Sequence, residues 1–393
     1  MISPCARTGR NRLFVAAQAN VPVVALLGVV LFLLLFDLGV GIAASLVAPL
    51  LAIFGSMVVI YATLSYDMPL ASLLLVGGIL FFFRACRSFR VSDGALAAIF
   101  LGAALHVRMT TVIFLPVLGL FALYAAWRAA EQRGRLLMPA TAFTLVMAVA
   151  CAAFGWYNHT RFGGVFDTGY SGQHGRAYRF DASLRETVPA LLVSPGRGLL
   201  FFAPFLVFAL AGIPALLRRR RAEGSALLAM VLVNFLFFAK NRWWHNIASA
   251  WGPRYQFTTV VLMMVPFGFW IEEVSRKRWK ALRATTVTLC LAAVTVQFAV
   301  LAGGFRRAHR GLWDLQRSRV YRSLVDFTSL ATEGRWSDLV FWYVGPLTQI
   351  MLYRALLAGA VGCVLLAGWF LVKETRGAVG EGGAIRKSRT LPP

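Results

Sequence analysis

One aspartate and four arginines stand where apolar stretches of this chain break, and they are the residues best suited to chemistry. The acid is Asp67, in Tyr66-Asp67-Met68-Pro69. The cations are Arg108 in His106-Val107-Arg108-Met109-Thr110, Arg161 in Asn158-His159-Thr160-Arg161-Phe162-Gly163-Gly164, Arg197 in Ser194-Pro195-Gly196-Arg197-Gly198, and Arg254 in Trp251-Gly252-Pro253-Arg254-Tyr255. A guanidinium presents a planar fork of donors that matches phosphate oxygens. If the breaks fall on one side of a membrane, these cations converge, and the pattern is the one expected for gripping a lipid-linked phosphate. No P-loop, HExxH zinc motif or serine elbow is present, so chemistry would rest on carboxylates and cations at a membrane cavity.

Each residue also has a plainer reading. Asp67 precedes Pro69, a pairing that suits a helix N-cap. Arg108 could simply pair with Asp67, since a charge at membrane depth needs a partner or an anionic ligand. The run from Trp243 to Tyr255 carries Trp243, Trp244, His245, Trp251 and Tyr255, and aromatic residues favour the membrane interface in any case. Beside Gly-Pro and Arg254, they also suit the wall of an anion site. Arg197 enters a helix start, where free backbone N–H groups attract phosphate. Asn158, Arg161 and Tyr170 belong to a glycine-shaped loop expected to meet substrate. Asp37, inside the first span, is read as a packing or pairing residue near the cytoplasmic end.

The elements that must position these residues are membrane helices. Of the 393 residues, 59% are hydrophobic and only 14% charged, which excludes a soluble domain of any size. A spanning helix needs about 20 apolar residues at about 1.5 Å each. Candidate spans are 21–40, 45–63, 69–83, 92–107, 109–127, 136–156, 197–217, 225–239, 255–271, 284–303 and 345–372, about 11 in all. The expected architecture is therefore all-α: a polytopic transmembrane bundle over 1–373, with two long outer loops carrying short helices. A basic tail, 374–393, is expected to be disordered and cytoplasmic.

The net charge of +24 invites a nucleic-acid reading, but its distribution argues against one. Basic clusters at 84–90, 128–135, 218–221 and 276–283 alternate with poorly charged loops, as the positive-inside rule requires. Setting those clusters inside puts the segments after 67, 108, 157, 240 and 304 on the outer face. The basic N-terminus (Arg7, Arg10, Arg12) then also falls outside, against the usual bias; a wrong span count, or a missing preceding helix and its outer loop, would remove the conflict. The outer loops 157–196 and 304–344 are the longest, and the second carries seven arginines. Residues 312–331 could form an amphipathic surface helix through Leu315, Val320, Leu324 and Phe327. The five cysteines show no metal or redox spacing, and no internal repeat is apparent, which weighs against an inverted-repeat transporter.

At these residues the chain resembles the GT-C integral-membrane glycosyltransferases of bacteria. Within them it looks like the polyprenyl-phosphate-sugar-dependent group that includes protein O-mannosyltransferases and lipid A aminoarabinose transferases. The resemblance rests on Asp67-Met68-Pro69-Leu70-Ala71, Leu101-Gly102 to Arg108, Tyr157-Asn158 to Tyr170, Ser194 to Leu199 and Trp251 to Tyr255, in the family's order over about 45–370. It implies inverting transfer of a sugar from a polyprenyl phosphate to a lipid, glycan or protein acceptor on the periplasmic face of a bacterial inner membrane. Arg108, Arg254 and Arg197 would bind the donor phosphate. A carboxylate would deprotonate the acceptor, with Asp67 matching the family's second acid. The family's first-loop acid has no match here, because the chain begins after that loop and 21–40 resembles the family's second span. Some members bind a divalent metal near the acids; one outer Asp is a poor oxygen cage, so neither a metal nor another cofactor is expected. The alternatives are a lipid-linked-sugar flippase, which would show charges continuing through the bundle, and an inactive partner subunit.

Overall fold

The computed structural model describes residues 19–128, 133–168, 179–194, 197–242, 244, 251–277 and 279–303. Among them every regular element is a helix. The expectations for Tyr170, His245, loop 304–344, the span 345–372 and the basic tail lie outside the described residues. In chain order the helices are α1 (Asn20–Asp37), α2 (Ile42–Phe54), α3 (Val58–Ala62), α4 (Met68–Ser88), α5 (Val91–Val107), α6 (Leu115–Arg128), α7 (Arg133–Phe162), α8 (Leu184–Val193), α9 (Leu199–Phe202), α10 (Leu206–Arg219), α11 (Arg221–Lys240), α12 (Phe257–Arg276) and α13 (Lys280–Gly303). Short 3-10 turns at Met109–Phe114 and Arg254–Gln256 lead into α6 and α12.

Seven helices among the described residues are long and apolar enough to cross a membrane, and two shorter apolar ones, Ile42–Phe54 and Val91–Val107, accompany them. The chain is an all-α polytopic bundle, as its composition requires: in hydrocarbon a helix satisfies its own backbone. Two expected spans are broken. The one at 45–63 divides at Gly55-Ser56, where the Ser56 hydroxyl donates back to the Ala52 carbonyl and accepts from Val58 N; such local bonds compete with the helix ladder. The span at 197–217 divides at Ala203-Pro204-Phe205, where Pro204 has no N–H to continue the ladder. The first of the two long loops, 157–196, does carry a short helix, α8.

Packing is closest between α10 and α12. A Cβ on Gly212 would lie 1.9 Å from the Pro266 carbonyl oxygen, so only glycine permits that approach. The core between the helices is aromatic and aliphatic, with Phe205, Phe267 and Phe269 fully buried.

The bundle has two chemically different ends. At one, Asp37 accepts from Arg84 Nε at 2.9 Å and from Arg87 Nη2, Glu272 accepts from Arg219 at 2.8 Å and from Arg276, and Arg220 Nε donates to Leu38 O at 3.0 Å. The expected pairing role of Asp37 is what the structure shows. Following α4 from Ser88 back to Met68, α12 from Arg276 back to Arg254 and α1 from Asp37 back to Asn20 leads to the other end, where the chain breaks at 67, 108, 163 and 241 meet in a cavity.

Candidate functional site

The cavity encloses about 520 Å³ and is walled by five parts of the chain. The turn before α4 contributes Tyr66, Asp67 and Met68; the α5–α6 junction contributes His106 to Thr110. The end of α7 gives Phe154, Tyr157, Asn158, Arg161 and Phe162. The end of α11 gives Phe238 and Asn241, and the 3-10 turn before α12 gives Arg254 and Tyr255. Thr168 closes one side.

The turn carrying Asp67 is tied down from α1. Asn20, at the start of that helix, donates to the carbonyls of Leu64 at 2.6 Å and Tyr66 at 2.8 Å. Asp67 occupies the N-cap position of α4 but makes no side-chain cap bond. Its Oδ2 instead accepts from Arg108 Nη1 at 3.0 Å. Both plain readings of these residues are thereby decided: Asp67 is a partner of Arg108, not a cap. About 43% of the Asp67 side chain is exposed against 16% for Arg108, so the carboxylate stays open to the cavity while the cation is recessed.

Arg108 is further held by Thr110, whose hydroxyl accepts from Nε at 3.0 Å. Its guanidinium lies 5.7 Å from the Phe238 ring centre and 5.9 Å from that of Tyr255. Those two rings stack almost parallel, 5.0 Å apart and 4° between planes. Arg254 lies 5.1 Å from Tyr255 and 5.0 Å from Tyr66, with Nη2 donating to the Tyr255 hydroxyl at 3.4 Å. One ring, Tyr255, is therefore shared by both arginines. Attraction of a cation to an aromatic face orients it without neutralising its charge; the counter-charge of Arg108 is the Asp67 carboxylate.

Around this centre, His106 Nδ1 is 2.8 Å from the Gly102 carbonyl. Arg161 donates to the Tyr157 hydroxyl and packs over Tyr157 and Phe162. Asn158, 2% exposed, donates to Val165 O at 3.1 Å and shapes the chain leaving α7.

Three expected site residues fall elsewhere. Arg197 is 1% exposed and donates through Nη1 to Gly252 O at 2.6 Å; it lies behind the cavity wall, not in it. The helix start beside it is occupied by its own chain, since Gly198 N donates to Ser194 O at 2.7 Å. Trp251 is fully buried, and Trp244 packs partly buried against the core; neither lines the cavity. Of the described residues between Trp244 and Tyr255, Arg254 and Tyr255 reach the opening. Sequence reasoning missed Tyr66, Phe154, Phe238 and Asn241 as wall residues, and Asn20 as a support. An Asn at the head of an apolar span is a usable signal, because a polar group there must find partners; Phe238 gives none.

Asp67 is the one carboxylate among the described lining residues, and Arg108 already occupies it. That donor set does not form the all-protein cage of six or more oxygens that a resident calcium ion takes.

No family model and no curated protein matches the sequence. Among solved structures, the chain is similar to the crystal structure of ArnT from Cupriavidus metallidurans bound to undecaprenyl phosphate. The TM-score is 0.51 at 14% identity, covering 95% of this chain and 67% of that one. The likeness extends over nearly the whole chain and shows a shared fold.

Proposed function

We propose that this protein is a membrane glycosyltransferase that moves a sugar from a polyprenyl-phosphate donor to an acceptor hydroxyl at the outer face. The observation that carries the reading is the shared-ring pair Arg108 and Arg254 beside the exposed carboxylate of Asp67 in one cavity. The fold shared with ArnT, a protein solved with undecaprenyl phosphate bound, supports the donor class. The gathering of basic clusters at the opposite end supports an outward-facing cavity in a bacterial inner membrane. An inactive partner subunit would not need an open acid beside recessed cations.

In this reading the donor's phosphate displaces the Asp67 carboxylate from Arg108 and is held between Arg108 and Arg254. Asp67 takes the acceptor's hydroxyl proton. The acceptor oxygen forms its bond to the anomeric carbon on the face opposite the phosphate, and the bond from that carbon to the phosphate oxygen breaks, inverting the centre. The leaving polyprenyl phosphate gains a negative charge, and two cations fixed in advance stabilise it as it forms. The rings of Tyr66, Phe154, Tyr157 and Phe162 give flat apolar faces for the sugar or the first prenyl units.

Label transfer in membranes tests the proposal. With a polyprenyl-phosphate-linked radiolabelled sugar, the wild-type protein should move label to an acceptor, and Arg254→Ala at equal expression should lower that rate about 10²–10³-fold, the scale for losing one charge-stabilising donor. Movement of intact lipid-linked sugar across the membrane, with its phosphate bond unbroken, would favour a flippase instead. Undiminished transfer by Arg254→Ala would remove the phosphate grip.

A further inference from the structure

Behind the cavity, the segment that aims Arg254 is held by a set of buried hydrogen bonds. Trp251 Nε1 donates to Gln297 Oε1 at 3.0 Å, and Gln297 Nε2 donates to the Phe202 carbonyl at 2.9 Å. The Trp251 carbonyl accepts from the Tyr61 hydroxyl at 2.9 Å. The Gly252 carbonyl accepts from Arg197 at 2.6 Å and from the Arg254 backbone N–H at 3.0 Å. Gly252 has φ +63°, and the Phe202 ring lies 2.9 Å from where a Cβ would stand. This left-handed turn therefore favours glycine and leaves no room for a side chain.

Gln297 is the unexpected member of the set. It lies in α13, a span only 28% buried over its apolar window, yet Gln297 itself is 0% exposed. An amide inside a membrane helix is costly unless its groups are bonded; here its carbonyl accepts from Trp251, in the segment that ends at Arg254, and its NH2 donates to Phe202, at the end of α9. The Phe202 ring also meets Trp251 edge-on at 4.9 Å, so the acceptor of one Gln297 bond packs against the donor of the other. Tyr61 extends the support to the far side of the cation, because its ring meets Tyr66 edge-on at 5.4 Å.

We propose that Gln297 is a positioning residue for Arg254, acting through Trp251. Its role deepens the reading of Arg254 as a phosphate ligand and rests on that reading. The helix that carries it is remote from the cavity, and the bond to Trp251 transmits its position across three residues of tight turn.

Site-resolved phenylglyoxal labelling of the full chain in nanodiscs, read by peptide mass spectrometry, tests this without a ligand. Gln297→Met keeps the volume and removes both bonds. It should raise modification of Arg254 about three- to tenfold, the scale of one or two intramembrane hydrogen bonds, and leave Arg108 unchanged. Unchanged Arg254 labelling, or an equal rise at both arginines, would mean general packing and overturn the proposal. Should Gln297→Met fail to fold, Trp251→Phe removes the same bond from the other side and must give the same selective rise; its absence would overturn the proposal equally. The second arm is a double-mutant cycle on undecaprenyl phosphate binding. Gln297→Met should weaken binding about three- to tenfold in the wild type and not at all in Arg254→Ala; additive losses would show that Gln297 acts independently of Arg254. A wild type that binds no undecaprenyl phosphate would defeat the phosphate reading, while the labelling result would still decide the role of Gln297.

Discussion

Replacing Asp67 by Asn should move binding and turnover in opposite directions. Asp67 and Arg108 pair at 3.0 Å with the carboxylate 43% exposed, so their attraction is weakened by solvent. Pairs of that kind are worth about 0.2–1 kcal/mol. A donor phosphate must take Arg108 from Asp67 and approach a carboxylate of like charge. Asn keeps the size and an acceptor oxygen for Arg108 but removes the charge, so both obstacles shrink. Undecaprenyl phosphate should therefore bind about 1.4- to 5-fold more tightly to Asp67→Asn, the affinity equivalent of that energy. Transfer should fall by about 10²–10⁴, because the amide cannot accept the acceptor's proton. Equilibrium binding by native mass spectrometry and initial rates from label transfer give the two numbers on one preparation. Weaker or unchanged binding would refute the competition for Arg108, and near-normal turnover would refute Asp67 as the base.

Tyr255 separates ring from hydroxyl. Tyr255→Phe keeps the stack on Phe238 and both cation contacts, so undecaprenyl phosphate affinity should stay within about threefold, whereas Tyr255→Leu loses two contacts of about 0.5–1 kcal/mol each and should weaken it by about fivefold or more; equal effects would count against the shared ring. Asn20→Ala loses the bonds to Leu64 and Tyr66 and should lower stability by about 1–3 kcal/mol in total, measured by thermal unfolding in detergent, with a parallel loss of transfer. A fully stable, fully active Asn20→Ala would mean the Asp67 turn needs no support from α1.

The helical bundle was legible because a membrane leaves the backbone few choices, and long apolar runs announce the result. The alternation of basic clusters likewise announced that Asp67, Arg108, Arg161 and Arg254 share one end. The breaks at Gly55-Ser56 and Ala203-Pro204 were less legible: a hydropathy window registers apolar composition, while a hydroxyl bonded to its own backbone or a missing N–H acts over single residues. Arg197 illustrates the limit for charged groups. Its position at a helix start suited an anion, but its partner, the Gly252 carbonyl, comes from 55 residues away. Partners 44 to 95 residues away likewise hid Asn20 and Gln297, although a lone amide in an apolar span is itself a sign that something buried needs it. Phe238 carried no signal, since one more Phe in an apolar helix is indistinguishable from core until Tyr255 stacks on it.

The most direct measurement of the central claim is the fate of the donor's sugar–phosphate bond on purified protein. Polyprenyl-phosphate-linked sugar, supplied with a mixed pool of envelope acceptors, should yield free polyprenyl phosphate and an equal amount of glycosylated acceptor, both formed about 10²–10³-fold more slowly by Arg254→Ala and about 10²–10⁴-fold more slowly by Asp67→Asn. A donor that binds in the cavity and stays intact, whatever the acceptor, would contradict the account.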